Sequence, residues 1–304
     1  MSAMRCGLFS VSYAGLWGQA ELSLEQTVAK AAELGFEGIL LMGKQPHLAP
    51  LQSDERQLAE VKECLERWGI EAIGIAAYND FLLPAPVEIP VEEMQLGYIE
   101  ACCRAAEFLG GSVVRVFTAY EHTPATAGAV SVEQGRHKVI RLLRSCGERA
   151  ARYGITVAVQ NHHDLAVESE TLNLLLNEVG LSNVQAGYDA WSPFLRGEDI
   201  CAGATLMAPR TALSIAANYR RFPRYSYEPQ LVNYRRCDPD LVRATYMSKG
   251  EIDYPPFLRA LQAGGYNGWL VYEMCSPLIE GSSEEVLDEA ARDFLACVQS
   301  AVLE

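Results

Sequence analysis

Residues 132–162, VEQGRHKVIRLLRSCGERAARYGITVAVQNH, decide the fold. The first part reads as one long helix over 132–153 that Gly154 ends, and the run 155–160 that follows is apolar enough for a buried strand. That strand closes abruptly on polar residues: Gln160, Asn161, His162, His163 and Asp164. Helix, glycine stop, apolar strand and polar strand end together make one turn of a parallel α/β architecture.

The same unit repeats on both sides. Upstream, 5–11 reads as a first strand, Ser23 caps a helix towards Leu34 that Gly35 ends, and 37–42 supplies the next strand. The stretch 54–68 is helical up to Gly69, 71–77 is a strand ending on Tyr78, Asn79 and Asp80, and a helix over 92–109 leads to a strand at 112–117. Downstream, 172–179 is helical, 184–189 and 212–217 are strands, 269–273 is a strand introduced by a glycine-rich turn, and 284–302 is a closing helix. Eight strands, each followed by a helix or its remnant, predict an α/β fold closed into a (β/α)8 TIM barrel rather than an open sheet. A chain of 304 residues with 49% apolar content suits a single domain over 1–304.

One segment breaks the rhythm. Between the seventh strand and a helix near 255–261 lies a long loop of about 30 residues, whose part 219–243 is dense in Arg and Tyr. Long loops after barrel strands usually carry function; a Tyr- and Arg-rich contact between copies of the chain, in a homo-oligomer, is an equal reading.

A net charge of −14 disfavours nucleic acid, whose binding needs phosphates neutralised along a polymer. No stretch approaches the roughly 20 uninterrupted apolar residues of a membrane span. The N-terminal residues lack a basic, apolar and small-residue leader pattern, and the nine cysteines show no metal-site spacing, which together suggest a reduced, cytoplasmic protein. Cys102 and Cys103 read as packing residues on a helix.

In such a barrel, polar residues that close apolar strands gather at one mouth. They are Asn79 and Asp80, Arg115 and Glu121, the 160–164 group, Asp189 with Trp191, Asn218, and Glu273 with Cys275. Residues two apart on a strand face the same way, so if Gln160 faces the axis, His162 lies above it. Asp189 and Glu273 each end an apolar strand, where a carboxylate must be paired, coordinated or protonated. Partners could be a divalent cation, His162 or Arg115. Trp17, Tyr78 and Trp191 either stack on a sugar face or close the top of the core.

These residues resemble the sugar isomerase and epimerase group with the xylose isomerase-like barrel, which also includes hydroxypyruvate isomerases, inosose dehydratases and apurinic-site endonucleases. The resemblance runs over nearly the whole chain. It rests on Ile155-Thr-Val-Ala-Val-Gln-Asn-His162, Gly187-Tyr-Asp189, Lys249-Gly-Glu-Ile-Asp253, Gly265-Tyr-Asn-Gly-Trp269 and Val271-Tyr-Glu273. The family holds one divalent metal with a glutamate on strand five, an aspartate on strand six, a histidine on strand seven and a glutamate on strand eight. Asp189 and Glu273 match; the strand-five position is Gln160, and the seventh strand carries no histidine.

The resemblance implies a metal-assisted isomerase or epimerase, or a lyase, acting on a small sugar, polyol or sugar-acid derivative by abstracting a proton next to a carbonyl. Gln160 can give an oxygen to a metal but cannot act as a base, which speaks against epimerisation by two glutamates. What survives is Glu273 and His162 as catalytic groups, with Gln160, Asp189 and Glu273 around Mn or Mg. Trp17, Arg115, His163, Trp191 and Asn218 are candidates to bind the carbohydrate. Two anionic ligands instead of three suit a negatively charged substrate, which would meet Arg115 or the arginines of the long loop. The alternative is a sugar-binding or regulatory barrel that has lost its metal site.

Overall fold

Three helices begin on reciprocal caps written into the sequence. Ser23 with Gln26, Asp54 with Gln57 and Ser131 with Gln134 each close a capping box, in which the cap oxygen accepts from the third helical N–H and the glutamine side chain returns the bond. They start α1 (Leu24–Leu34), α2 (Glu55–Trp68) and α4 (Val132–Ala151). Gly35 and Gly69 end the first two in the left-handed conformation, at φ 94° and 64°.

A computed structural model describes residues 4–84, 86, 88–119, 131–162 and 164–303. The strands are β1 (Arg5–Phe9), β2 (Gly38–Met42), β3 (Glu71–Ala76), β4 (Val113–Val116), β5 (Thr156–Gln160), β6 (Val184–Gly187), β7 (Thr211–Ala216) and, after a ribbon, β10 (Trp269–Tyr272). They form a closed parallel barrel in the order β1-β10-β7-β6-β5-β4-β3-β2. The remaining helices are α3 (Val91–Phe108), α5 (Ser169–Val179), α6 (Trp191–Leu195), α7 (Ile200–Met207), α8 (Tyr254–Ala263) and α9 (Glu284–Leu303). The fold is the TIM barrel that the strand count predicts.

Boundaries differ modestly from the sequence reading. Helix α5 starts at Ser169 rather than 172. Its first turn is tied by the Ser169 hydroxyl, which bonds the Tyr188 hydroxyl and the Glu198 carboxylate, both 2.7 Å away and distant in sequence. Helices α6 and α7 escape a periodicity search because they are short.

The larger difference is the segment after β7. It is no irregular loop but an antiparallel ribbon of β8 (Asn218–Glu228) and β9 (Asn233–Thr245), with most of both strands exposed. Both faces meet solvent, so no alternation of apolar and polar residues marks it. Three of its six arginines are ion-paired nearby: Arg221 with Glu251 (2.8 Å), Arg235 with Glu228 (3.3 Å) and Arg236 with Asp240 (2.9 Å).

Side chains sort by parity into two cores. Phe9, Leu40, Met42, Ile73, Val113, Ala158, Leu213, Ile215 and Val271 fill the barrel, while Ile39, Leu41, Val114, Val157, Val159 and Leu270 pack outward against the helices. All nine cysteines are free; burial pushes the thiol of Cys103 up to about 12 and that of Cys102 higher still, which keeps both as inert packing groups. Among the described residues, no helix is long and apolar enough to cross a membrane.

Where β2 meets β3 the register shifts between Ile39 and Leu40, and Gly74 passes so close to β4 that a Cβ there would stand 1.8 Å from the Val113 carbonyl oxygen. Backbone cannot yield as a flexible side chain can. Gly74→Ala is therefore expected to cost about 3 kcal/mol, read as a lower urea midpoint at unchanged slope; a midpoint within error of the native protein's would show that the strands can separate there.

Candidate functional site at the barrel mouth

Above the apolar filling, the inward positions turn polar within one layer. Continuing the parity of each strand by two residues leads from Met42 to Lys44, from Ala76 to Tyr78, from Val113 to Arg115, from Ala158 to Gln160, from Gly187 to Asp189, from Ile215 to Ala217 and from Val271 to Glu273. The backbone still holds the last of these, since the Glu273 N–H donates to the Ala216 carbonyl at 3.0 Å.

Asp189 is the most constrained of the group. It is 1% exposed, and its Oδ2 accepts from the Gln160 Nε2 at 2.9 Å, while Oδ1 has no hydrogen-bond partner. Burial pushes its pKa up to about 7; the Gln160 donor and the N–H groups of Ser192 and Trp191 oppose that rise, and the neighbouring Glu273 carboxylate adds to it. Glu273 is itself raised, chiefly by burial, against the pull of Arg115, Cys275 and Lys44.

Two cations face these carboxylates. Arg115 is 1% exposed and donates from Nη1 to the Ala77 carbonyl at 2.9 Å; its guanidinium lies 4.0 Å from the Phe117 ring centre and 5.1 Å from that of Tyr78. Its Nε–H is buried without an acceptor. Lys44 stands on the same Tyr78 ring, 3.8 Å from the centre, and 5.1 Å from that of Trp17. Burial and the charge of Arg115 lower its pKa, with Cys275 and Glu273 opposing. The sequence reading overlooked Lys44, although it obeys the same two-residue parity that singled out His162.

The other expected site residues fall into three groups. His162 is packed between Phe117 and Trp191, at 5.8 and 5.2 Å between ring centres, with Nδ1 3.4 Å from the Ser192 hydroxyl. Trp191 continues this aromatic wall to Tyr219 at 4.6 Å. Trp17, 43% exposed, reaches the group through Lys44. Asn218 is different: its Nδ2 donates to the Met247 and Ile252 carbonyls and its Oδ1 accepts from the Tyr219 and Ile252 N–H groups, so the amide anchors the base of the ribbon. Asn161 and Asn79 are likewise engaged with the backbone of Asp189 and Phe117. His163 and Glu121 lie outside the described residues.

Among the described residues no group of three or more His, Cys, Asp or Glu side chains lies together in a way that could hold a metal ion. The donor set that does converge is oxygen-only: Asp189 with its unpartnered Oδ1, Glu273, and the amide of Gln160. It fits a hard cation such as Mg or Mn, which tolerates neutral oxygen ligands and keeps several waters.

A family model for the xylose isomerase-like TIM barrel matches residues 28–296. Several solved structures share the fold. D-psicose 3-epimerase with D-tagatose from Clostridium cellulolyticum H10 is 14% identical, with a TM-score of 0.74 over 98% of this chain and 99% of that one. A xylose isomerase-like TIM barrel protein from Mycobacterium smegmatis in complex with magnesium is 14% identical, with a TM-score of 0.68 over 100% and 97%. The probable 3-DHS dehydratase involved in petrobactin synthesis from Bacillus anthracis is 18% identical, with a TM-score of 0.69 over 96% and 99%. No curated protein matches the chain in sequence.

The Asp189 proton gives a signed expectation for the metal-free protein. With a folded pKa of about 7 against an unfolded value near 3.8, the folded state holds a proton that the unfolded state has released. Stability contributed at this site is therefore greatest below about pH 4 and falls as pH rises to about 7. Asp189→Asn should flatten that slope, gaining a few kcal/mol over the native protein at pH 8 and little at pH 4. Urea unfolding across pH in the presence of chelator measures it, and parallel curves for the two proteins would contradict the assignment.

Proposed function

Because the chain belongs to the xylose isomerase-like TIM-barrel family, we propose that it is an isomerase or epimerase, or a lyase, acting on a small sugar, polyol or sugar-acid derivative by removing a proton next to a carbonyl. The observation that carries this reading is Glu273 at the mouth, a half-buried carboxylate with raised pKa facing Arg115 and Lys44. A carboxylate of raised basicity accepts a carbon-bound proton better than an ordinary one, and adjacent cations offset the charge that develops on the enediolate oxygen. In an isomerisation Glu273 itself returns the abstracted proton to the neighbouring carbon; in an elimination Glu273 keeps it, and His162, held between Phe117 and Trp191, gives its own proton to the departing hydroxyl. Gln160 takes no part in proton transfer, so the chemistry runs through one carboxylate base, which favours isomerisation or elimination over exchange between two glutamates.

Gln160, Asp189 and Glu273 would hold a divalent ion, Mn or Mg, whose role when bound is to polarise the carbonyl oxygen. Asp189 must give up its proton to serve as a ligand, so loading should weaken as pH falls below about 7.

Glu273→Gln should slow exchange of the substrate's α-proton with D2O by roughly 10²- to 10⁴-fold. Native exchange rates in that variant would remove Glu273 from the chemistry. Elemental analysis after Mn loading and desalting should find about one metal per chain in the native protein and much less in Asp189→Asn.

A second reading, a sugar-binding or regulatory barrel without a metal, is favoured by Ala217 at the inward end of β7, where a side chain offers no ligand. Ligand binding indifferent to chelator, together with no proton exchange across a carbohydrate panel, would decide for it.

A further inference from the structure

We infer that the mouth contains a carboxylate-binding subsite built from Lys44 and Arg115, and that the substrate is a sugar acid whose carboxylate lies against the Tyr78 ring edge between these two cations. The inference rests on the mouth being the substrate site, and it narrows the substrate from sugars at large to anionic ones.

Both cations stand on one aromatic ring, Lys44 at 3.8 Å and Arg115 at 5.1 Å, and Tyr78 follows β3, the strand between the β2 and β4 ends that carry them. Like charges held against one ring repel, and burial raises the cost. Among the described residues neither forms an ion pair. Glu273 attracts both at a distance but closes an ion pair with neither. Arg115 satisfies one N–H on Ala77 and leaves its Nε–H buried and unmet, which costs stability. The planar fork of a guanidinium beside a point-like ammonium suits a planar carboxylate.

Three of the six ribbon arginines compete poorly for this role: Arg221, Arg235 and Arg236 are exposed and already paired with Glu251, Glu228 and Asp240. Arg220 and Arg224 are exposed to solvent. An anion held out there would be screened by salt, whereas one between Lys44 and Arg115 is shielded by Trp17, Tyr78 and Phe117.

The test is calorimetric titration of the native protein with D-glucuronate, D-galacturonate and D-gluconate, each beside its neutral counterpart D-glucose, D-galactose or sorbitol, and with D-glucose 6-phosphate. At least one acid should bind while its neutral counterpart does not. Lys44→Met should weaken that acid by roughly 10- to 100-fold, Lys44→Arg should restore most of the loss, and Arg224→Ala on the ribbon should change nothing. Neutral sugars binding as well as the acids, no acid binding at all, a sugar phosphate preferred over every carboxylate, or indifference to Lys44→Met would each overturn the subsite. Proton exchange in D2O on the same panel separates this from the proposed reaction. A neutral sugar exchanged without dependence on Lys44 keeps the reaction and removes the subsite; an acid bound through Lys44 but never exchanged keeps the subsite and removes the reaction.

Discussion

A closed parallel barrel imposes one constraint from which the rest of this molecule follows: every strand presents alternate residues to a common axis, and all strands end on the same side. Below the mouth the inward residues are apolar and fill the barrel; at the mouth the filling stops and the next inward residue of each strand must find a polar partner or water. Gln160, Asp189, Arg115, Lys44 and Glu273 are what those positions hold. Their proximity is a consequence of parity and closure, since they come from five strands spread between residues 38 and 273 and share no local sequence relation.

Within that layer the physics is one of unequal compensation. Gln160 donates to one Asp189 oxygen and leaves the other unmet, Arg115 spends one N–H and keeps another idle, and Lys44 is attracted by Glu273 while repelled by Arg115. A structural polar network would close these bonds on one another, as the three asparagines nearby do. Asn79, Asn161 and Asn218 give both ends of their amides to backbone groups and fix the strand ends in place. The contrast separates side chains that hold the mouth together from side chains left with bonding capacity directed into it.

That contrast also marks what the sequence makes legible. Helix starts at Ser23 and Asp54, stops at Gly35 and Gly69, and strands that are apolar on both faces are local signals, and the barrel follows from them. The inward set is half legible. Parity brings Gln160 and His162 to the same side, but a list of polar strand ends cannot tell Asn161, which faces away and clamps Asp189, from Gln160, which faces in. Lys44 escaped because β2 ends at Met42, followed by a glycine, although the chain keeps its parity for two more residues. The ribbon escaped for the opposite reason: with both faces in solvent and Pro223 and Pro239 within its strands, it carries neither alternation nor an apolar run.

The change from a strand-five glutamate to Gln160 has a consequence beyond the loss of a base. In this barrel the amide is a donor to Asp189, which a glutamate could not be unless protonated, so the substitution turns a repulsive carboxylate pair into a hydrogen-bonded one. It also leaves one negative charge fewer in a mouth that holds two cations. The charge balance of the mouth therefore shifts towards the positive relative to a site with three carboxylates. Gln160, the position that weakens the case for a tightly held metal, strengthens the case for a substrate that brings its own negative charge.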